Sequence, residues 1–260
     1  MSFAIDLEGR RALITGAGQG IGRAIALTLA EAGAAVVVND IVATAADAVV
    51  EEVLDAGGKA TPLVFDVTDY ESVARAIEEQ GGVDVLVNNA GNAGVDGLVT
   101  PTNFVDTEPD DWARYFAVNL FGTMHCTRAA LPSMIANGWG RIVTLVSDAS
   151  RNGDAQVAPY AAAKAGAAGF CRSIAREVGR HGITVNCVSL GTIETDALAA
   201  ARPQTPEGIE RSKRLLKAYV VRRWGTPDDV AGIVTYLASP LSSWITGQTY
   251  AVNGGFTFSL

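Results

Sequence analysis

Three side chains in the middle of this sequence have the types and spacing needed to move a proton. Tyr160 and Lys164 stand four residues apart in Tyr160-Ala-Ala-Ala-Lys164, and Ser147 lies thirteen residues before the tyrosine. Residues at i and i+4 share one face of a helix. An ammonium held one turn from a phenol favours the phenolate and is expected to lower its pKa from about 10. Such a phenol exchanges a proton with an alcohol or ketone near neutral pH. A tyrosine and a lysine four apart also arise by chance on surface helices. The pair therefore takes its meaning from the elements that position it.

Those elements begin at the N-terminal end. Arg11–Thr15 is an apolar, strand-like run that enters Thr15-Gly16-Ala-Gly18-Gln-Gly20-Ile-Gly22. A helical pattern follows from Arg23 to about Ala32 and stops at Gly33, and a second apolar run, Ala34 to Val38, ends at Asn39-Asp40. Strand, glycine turn, helix, strand and acid within one βαβ unit suit a dinucleotide. Glycines let the backbone approach a pyrophosphate, and the helix N-terminus offers free N–H groups. An acid after the second strand accepts hydrogen bonds from ribose hydroxyls and repels a 2′-phosphate. No Arg or Lys lies between Gly16 and Gly22 or between Ala34 and Thr44, so NAD is expected over NADP.

The rest of the chain repeats the alternation. Helices are expected at Ala43 to Ala56, Tyr70 to Gln80, about Pro109 to Asn137, Tyr160 to Gly179 and Pro227 to Ala238. Strands are expected at Thr61 to Phe65, Val83 to Val87, Arg141 to Ser147, Ile183 to Val188 and Thr249 to Val252. Pro132 predicts a kink or break in the long fourth helix. Unalternated Val/Ile/Leu strands joined by helices mean a parallel sheet covered on both faces, in one α/β domain spanning residues 1–260. The small face of the 160–179 helix invites close approach of another helix, as at a subunit contact.

With 260 residues and 48% apolar content, one large domain with a sizeable core is expected. No apolar run approaches the roughly 20 residues that span a bilayer, and Met1–Asp6 lacks signal-peptide character, so a cytoplasmic location is expected. A net charge of −8 disfavours nucleic acid and anionic membranes as partners. Cys126, Cys171 and Cys187 are far apart in apolar segments and read as reduced core residues. With only two histidines, no metal site is expected.

Thr15-Gly-x-x-x-Gly-x-Gly22, Asn88-Asn-Ala-Gly91, Ser147 and Tyr160-x-x-x-Lys164, in this order, resemble the short-chain dehydrogenase/reductase family over essentially the whole chain. Within it the chain is most similar to 3-oxoacyl-carrier-protein reductases and bacterial hydroxysteroid dehydrogenases. The resemblance implies a doubly wound parallel sheet, a Rossmann fold, and an NAD(H)-dependent oxidoreductase that interconverts a secondary alcohol and a ketone. It makes Tyr160 the acid/base and Lys164 the residue that lowers its pKa and binds the nicotinamide ribose. Ser147 would bind the substrate oxygen, and Asn119 would hold a relay water. Ser147 also suits a strand-end cap, and Asn119 a helix bend. The implied cofactor contacts are Gly16, Gln19, Gly20, Ile21, Gly22, Asp40, Ile41, Asp66, Val67, Asn89, Ile193 and Thr195, beside Tyr160 and Lys164. Asp66 also suits a cap on the next helix. A homotetramer is implied. Leu190-Gly191 replaces the usual Pro-Gly, which restores a backbone donor and frees φ, so either a more mobile loop or differently aimed carbonyls are expected, with cofactor binding kept.

Two regions are expected to face the substrate. One is the loop Asn92–Asp106, with Leu98, Val99, Phe104 and Val105 as apolar wall. The other is a lid at about 196–223, which carries seven cations against three acids, a surplus of four. A basic lid suits the phosphates of a coenzyme A thioester, while a solvated helix face is the favoured explanation of the same charges. The substrate candidates are a 3-hydroxyacyl thioester, then a steroid or cyclic alcohol. A non-catalytic NAD-binding protein on the same fold is the reading from another class.

Overall fold

The strand Arg11–Ile14 (β1) buries both faces. Ala12 and Ile14 belong to one apolar core and Leu13 to another. The computed structural model describes residues 5–92, 101–202 and 204–258. In it β1 joins β2 (Ala35–Asp40), β3 (Lys59–Val64), β4 (Val85–Asn88), β5 (Gly140–Ser147), β6 (Ile183–Leu190) and β7 (Thr249–Val252) in one sheet. The order is β3-β2-β1-β4-β5-β6-β7 and every pairing is parallel. The fold is therefore a single-domain, doubly wound α/β sheet, as the apolar runs and the resemblance imply.

Helices α1 (Gly20–Glu31), α2 (Ala43–Asp55), α3 (Tyr70–Glu79), α4 (Pro109–Phe116), α5 (Thr123–Asn137), α6 (Ala149–Asn152), α7 (Ala158–Val178), α8 (Asp196–Ala201), α9 (Pro206–Leu216) and α10 (Pro227–Ala238) connect and cover the strands. On one face α1 and α10 pack Ile25, Leu29, Val230, Val234 and Leu237 against Ile14, Val36 and Val87. On the other, α3, α5 and α7 pack Ile77, Met134, Cys171 and Ala175 against Leu13, Val37 and Leu86. All three cysteines are free and buried. The strand order reverses between β1 and β4, so the loops leaving them diverge and open a crevice at the strands' C-terminal ends.

Several expected boundaries move. α1 starts at Gly20, three residues before the expected Arg23, because the glycine turn runs directly into the helix. β2 continues through Asp40, and β6 continues through Leu190, which pairs with Ser147 on one side and Val252 on the other. The expected continuous helix 109–137 is a correction. It is interrupted by a π-helical turn at Ala117–Gly122, while α5 passes through Pro132 to Asn137. The interruption follows from Asn119, whose Nδ2 donates to the Tyr115 carbonyl four residues back at 2.9 Å. A side chain competing for an i−4 carbonyl widens the turn.

Candidate active site

Backbone placement starts at the glycine turn. α1 has no side-chain cap at Gln19, so its first N–H groups keep no side-chain acceptor and point out of the helix end. Gly22 leaves room there that no other residue can: a Cβ would lie 2.5 Å from both Asn89 Nδ2 and the Gly16 carbonyl oxygen. Asn89 Nδ2 uses that space to donate to the Thr15 and Gly16 carbonyls, each at 2.8 Å, which ties the β4 loop to the turn. At the far side Asp40 Oδ2 accepts from Gly18 N–H at 3.0 Å and Oδ1 from Val42 N–H at 3.0 Å. Asp66 Oδ1 accepts from the Thr68 N–H and hydroxyl at 2.8 and 2.9 Å. The cap of the following helix is Asp69 rather than Asp66.

These groups surround one elongated cleft of about 590 Å³. Of the residues singled out in the sequence, Gly16, Gln19, Gly20, Ile21, Gly22, Asp40, Ile41, Asp66, Val67, Asn89 and Thr195 all line it. Ile193 does not; its side chain is buried in the core, against Gly225. Phe65 and Thr68, which no motif marked, line the cleft as well, as do Val118 beside Asn119 and Asp196 at the start of the expected lid. The uncapped helix end, the cradle at Gly22 and the anchored Asp40 fit a dinucleotide with its pyrophosphate at α1 and a ribose at Asp40.

Asn119, Ser147, Tyr160 and Lys164 do not line this cleft, so Tyr160 and Lys164 are not among its wall residues as expected; Asn119 and Lys164 stand behind Gly91, which does line it. Ser147 closes β5, its Oγ accepts from Ala149 N–H at 3.2 Å, and it stands near enough to the Tyr160 hydroxyl to pull that phenol's pKa down. Tyr160 lies in the first turn of α7, with the Tyr115 ring edge-on at 6.2 Å. Lys164, one turn on, is buried, and its Nζ donates to the Leu145 carbonyl at 2.9 Å. Asn119 spends its Nδ2 on Tyr115 O, Asn92 O and Asn92 Oδ1, and its buried Oδ1 has no partner among the described residues. A methyl on Gly91 would sit 3.0 Å from that Oδ1 and 3.3 Å from Lys164 Nζ. An orphaned acceptor and an ammonium thus flank one point on the cleft wall.

The electrostatics differ from the expectation in one respect. Burial pushes the Tyr160 phenol above its ordinary value, and the neighbouring Ser147 pulls the other way. Burial also brings the Lys164 ammonium down to about 8. The lysine does not lower the phenol in the chain by itself, because its Nζ is turned to the Leu145 carbonyl. Spacing shows proximity along a helix, but not which way each head group points.

Two further residues hold this site together. Asp148, buried beside Ser147, accepts from Ser189 Oγ at 2.6 Å, Thr257 Oγ1 at 2.8 Å and Asn253 Nδ2. It fastens the Ser147 turn to β6 and the C-terminal segment. Tyr219 donates to Thr192 Oγ1 at 2.9 Å and accepts from Thr192 N–H at 3.0 Å. With Leu190 inside the ladder and Gly191 N–H donating to the Val252 carbonyl, the Leu190-Gly191 segment is held, contrary to the more mobile of the two outcomes expected there. A chain reader could have found Tyr115, which stands four residues before Asn119; Asp148 and Tyr219 carry no local signal.

The substrate side is partly described. Leu98 and Val99 lie outside the described residues. Phe104 stacks on Trp112 with centroids 5.0 Å apart, and Val105 is turned to solvent. In the 196–223 segment, Arg202 pairs with Glu194 at 2.6 Å and Arg223 with Asp229 at 2.6 and 2.7 Å. Both acids lie outside the segment, so its surplus of four cations falls to two. Arg211, Lys213, Arg214, Lys217 and Arg222 have no carboxylate partner among the described residues.

Residues 16–257 match the family described as Enoyl-(Acyl carrier protein) reductase. The chain is 41% identical over 255 residues to a 7alpha-hydroxysteroid dehydrogenase of Escherichia coli K12, covering 96% of this chain and 95% of that one. It is 38% identical over 255 residues to a 3-oxoacyl-[acyl-carrier-protein] reductase of Synechocystis, covering 96% and 97%. Among solved structures it is similar to a gluconate 5-dehydrogenase from Burkholderia cenocepacia in complex with NADP and tartrate. That likeness has a TM-score of 0.89 and 37% identity, over 98% of each chain. A 7 alpha-hydroxysteroid dehydrogenase complexed with NADH and 7-oxo glycochenodeoxycholic acid gives a TM-score of 0.86 at 40% identity, over 96% and 95%. Likeness of this extent makes the chain a member of the short-chain dehydrogenase/reductase family, an oxidoreductase of alcohols and ketones.

Proposed function

We propose that the chain uses NAD(H) to interconvert a secondary alcohol and a ketone, with Tyr160 as the acid/base. The observation that carries this reading is the placement of Ser147 beside Tyr160, with Lys164 one turn on and Gly91 between Lys164 and the dinucleotide cleft. A bound nicotinamide accepts the hydride in oxidation and supplies it in reduction. In oxidation Tyr160 takes the alcohol proton; in reduction it returns one to the ketone oxygen. Ser147 and Tyr160 aim two hydroxyls at that oxygen, where negative charge develops. Lys164, at about 8, changes charge near working pH and sits where Asn119 Oδ1 is left open. We assign these two the route by which the Tyr160 proton reaches solvent. A purely NAD-binding protein has no use for a phenol arranged in this way.

Support for NAD over NADP comes from Asp40, whose carboxylate is fixed at the ribose end of the cleft. Ile41 and Val42 follow it and are exposed, so no cation stands beside it in the chain to receive a 2′-phosphate. As substrate we place a 3-hydroxyacyl thioester first, on the five lid cations without carboxylate partners. A steroid or cyclic alcohol comes second, favoured by the similarity to hydroxysteroid dehydrogenase. We assign the segment 196–223 the role of lid and the chain a homotetrameric assembly.

The test is NADH formation across 3-hydroxyacyl-CoA esters, steroid alcohols, simple cyclic alcohols and sugar acids. Turnover confined to CoA esters supports the thioester. Turnover only with free alcohols removes the phosphate role of the lid. Turnover with NADP+ but not NAD+ removes the assignment made to Asp40.

A further inference from the structure

The segment Gly191–Thr195 runs from the reactive side chains to the glycine turn. It leaves β6 at Leu190, which pairs with Ser147, and ends at Thr195, whose Cγ2 would lie 3.1 Å from a Cβ on Gly20. Its two ends therefore bracket the space between the pyrophosphate turn and the Ser147 end of the site. A fixed backbone there needs partners for its N–H groups. Gly191 N–H donates to the Val252 carbonyl at 3.1 Å and Glu194 N–H to the Gly225 carbonyl at 2.7 Å. Thr192 N–H, between them, goes to a side chain, the Tyr219 hydroxyl, at 3.0 Å. The same hydroxyl donates to Thr192 Oγ1 at 2.9 Å, so Tyr219 holds Thr192 at two points.

Tyr219 comes from the segment 196–223, and among the described residues of that segment it alone is buried, at 3% exposure. Its ring stacks on Phe256 with centroids 4.9 Å apart and meets Trp224 edge-on at 5.8 Å. Gly191 and Gly254 leave the space it fills: a Cβ on either would lie 3.2 Å from the ring. Phenylalanine would serve that packing. A buried phenol must also satisfy its hydroxyl, and both hydrogen bonds of this one go to Thr192.

We propose that the Tyr219 hydroxyl is a positioning group for the nicotinamide end of the cofactor, acting through Thr192 on the segment Gly191–Thr195. This rests on the dinucleotide reading given above. Tyr219 does not line the cleft, whereas Thr195 at the end of the segment does. The hydroxyl supplies by hydrogen bonding a restraint that Leu190-Gly191, lacking a proline, does not supply by covalent geometry. The effect is selective along the cofactor. The adenosine and pyrophosphate end faces Asp40, Asp66 and the start of α1, which Tyr219 does not touch. Loss of the hydroxyl should weaken binding of the whole dinucleotide and spare a ligand without the nicotinamide ring.

The experiment is calorimetric titration of the full chain with NAD+ and with ADP-ribose, which lacks that ring. Tyr219→Phe is the main variant, because it keeps the ring contacts with Phe256 and Trp224 and so keeps the fold. Thr192→Val, which removes the acceptor of the Tyr219 proton, is the second. Tyr219→Phe is expected to weaken NAD+ binding about tenfold, the scale of one buried donor left unpaired, and ADP-ribose binding by less than about twofold. Thr192→Val should weaken NAD+ binding in the same direction, and the double variant should lose less than the product of the two single losses. Equal losses for NAD+ and ADP-ribose would make Tyr219 a residue of the fold alone and overturn the proposal. So would unchanged NAD+ affinity in Tyr219→Phe. A wild type that binds neither ligand overturns the dinucleotide reading itself, and the assignment to Tyr219 with it.

Discussion

Replacing Lys164 with methionine should make the protein more stable and inactive. The Lys164 ammonium is buried, and its pKa falls from 10.5 to about 8 with burial as the leading cause. At about 1.4 kcal/mol per decade, that drop corresponds to about 3 kcal/mol of burial cost when the group is charged. The bond from Nζ to the Leu145 carbonyl returns about 1 kcal/mol. Lys164→Met keeps the chain length without the charge, so a net gain of about 2 kcal/mol is expected at pH 7. The gain depends on pH in a defined way. The unfolded lysine keeps its proton up to about 10.5 and the folded one loses it above about 8, so between these values the unfolded state binds more protons. Wild-type stability from this group therefore rises with pH across that window. The advantage of Lys164→Met should be full below pH 8 and gone by about pH 10.5. Urea unfolding of both proteins at pH 7 and pH 10 reads the difference directly. A variant that is less stable than wild type at pH 7 would refute the reasoning, because Lys164 would then be a structural residue rather than one kept at a cost for chemistry.

Gly22→Ala should cost about 2–3 kcal/mol, the price of overpacking a site with no free volume, and abolish NAD binding. The new Cβ meets Asn89 Nδ2 and the Gly16 carbonyl at 2.5 Å; melting with and without NAD+ checks this. Asp148→Ala leaves the Ser189, Asn253 and Thr257 donors without their acceptor and should destabilise by about 3–5 kcal/mol in chemical unfolding. Asp40→Ser should raise NADP+ affinity by roughly tenfold, equivalent to about 1.4 kcal/mol, in a fluorescence titration; no gain would mean that Asp40 does not set cofactor choice. Simultaneous Arg211→Ala, Lys213→Ala and Arg214→Ala should raise KM for a CoA ester while leaving NAD+ binding unchanged, and an unchanged KM would remove the phosphate role of the lid.

The fold was legible because a sheet buried on both faces demands unbroken apolar strands, and β4, β5 and β6 carry them openly. β3, at the sheet's edge, has a mixed composition, and its ends shift from the expected 61–65 to Lys59–Val64. The π turn at Ala117–Gly122 was hidden, because it arises from where one side chain of an otherwise helical stretch sends its amide. The nucleotide cradle was readable in the glycines, whose absent Cβ atoms are themselves the signal. The inner end of the site was only half readable. Spacing placed Tyr160 and Lys164 on one face but gave no sign that burial dominates both groups. Asp148 and Tyr219 act through contacts between residues far apart in sequence, for which no local pattern exists.

The most direct test of the central claim is Tyr160→Phe, assayed with NAD+ and the best alcohol of the panel. The account predicts a fall in kcat/KM of at least about 10³-fold, within the range for loss of a general acid/base, with NAD+ affinity unchanged within a factor of two. Turnover retained within tenfold of wild type would contradict it and move the proton chemistry to another residue.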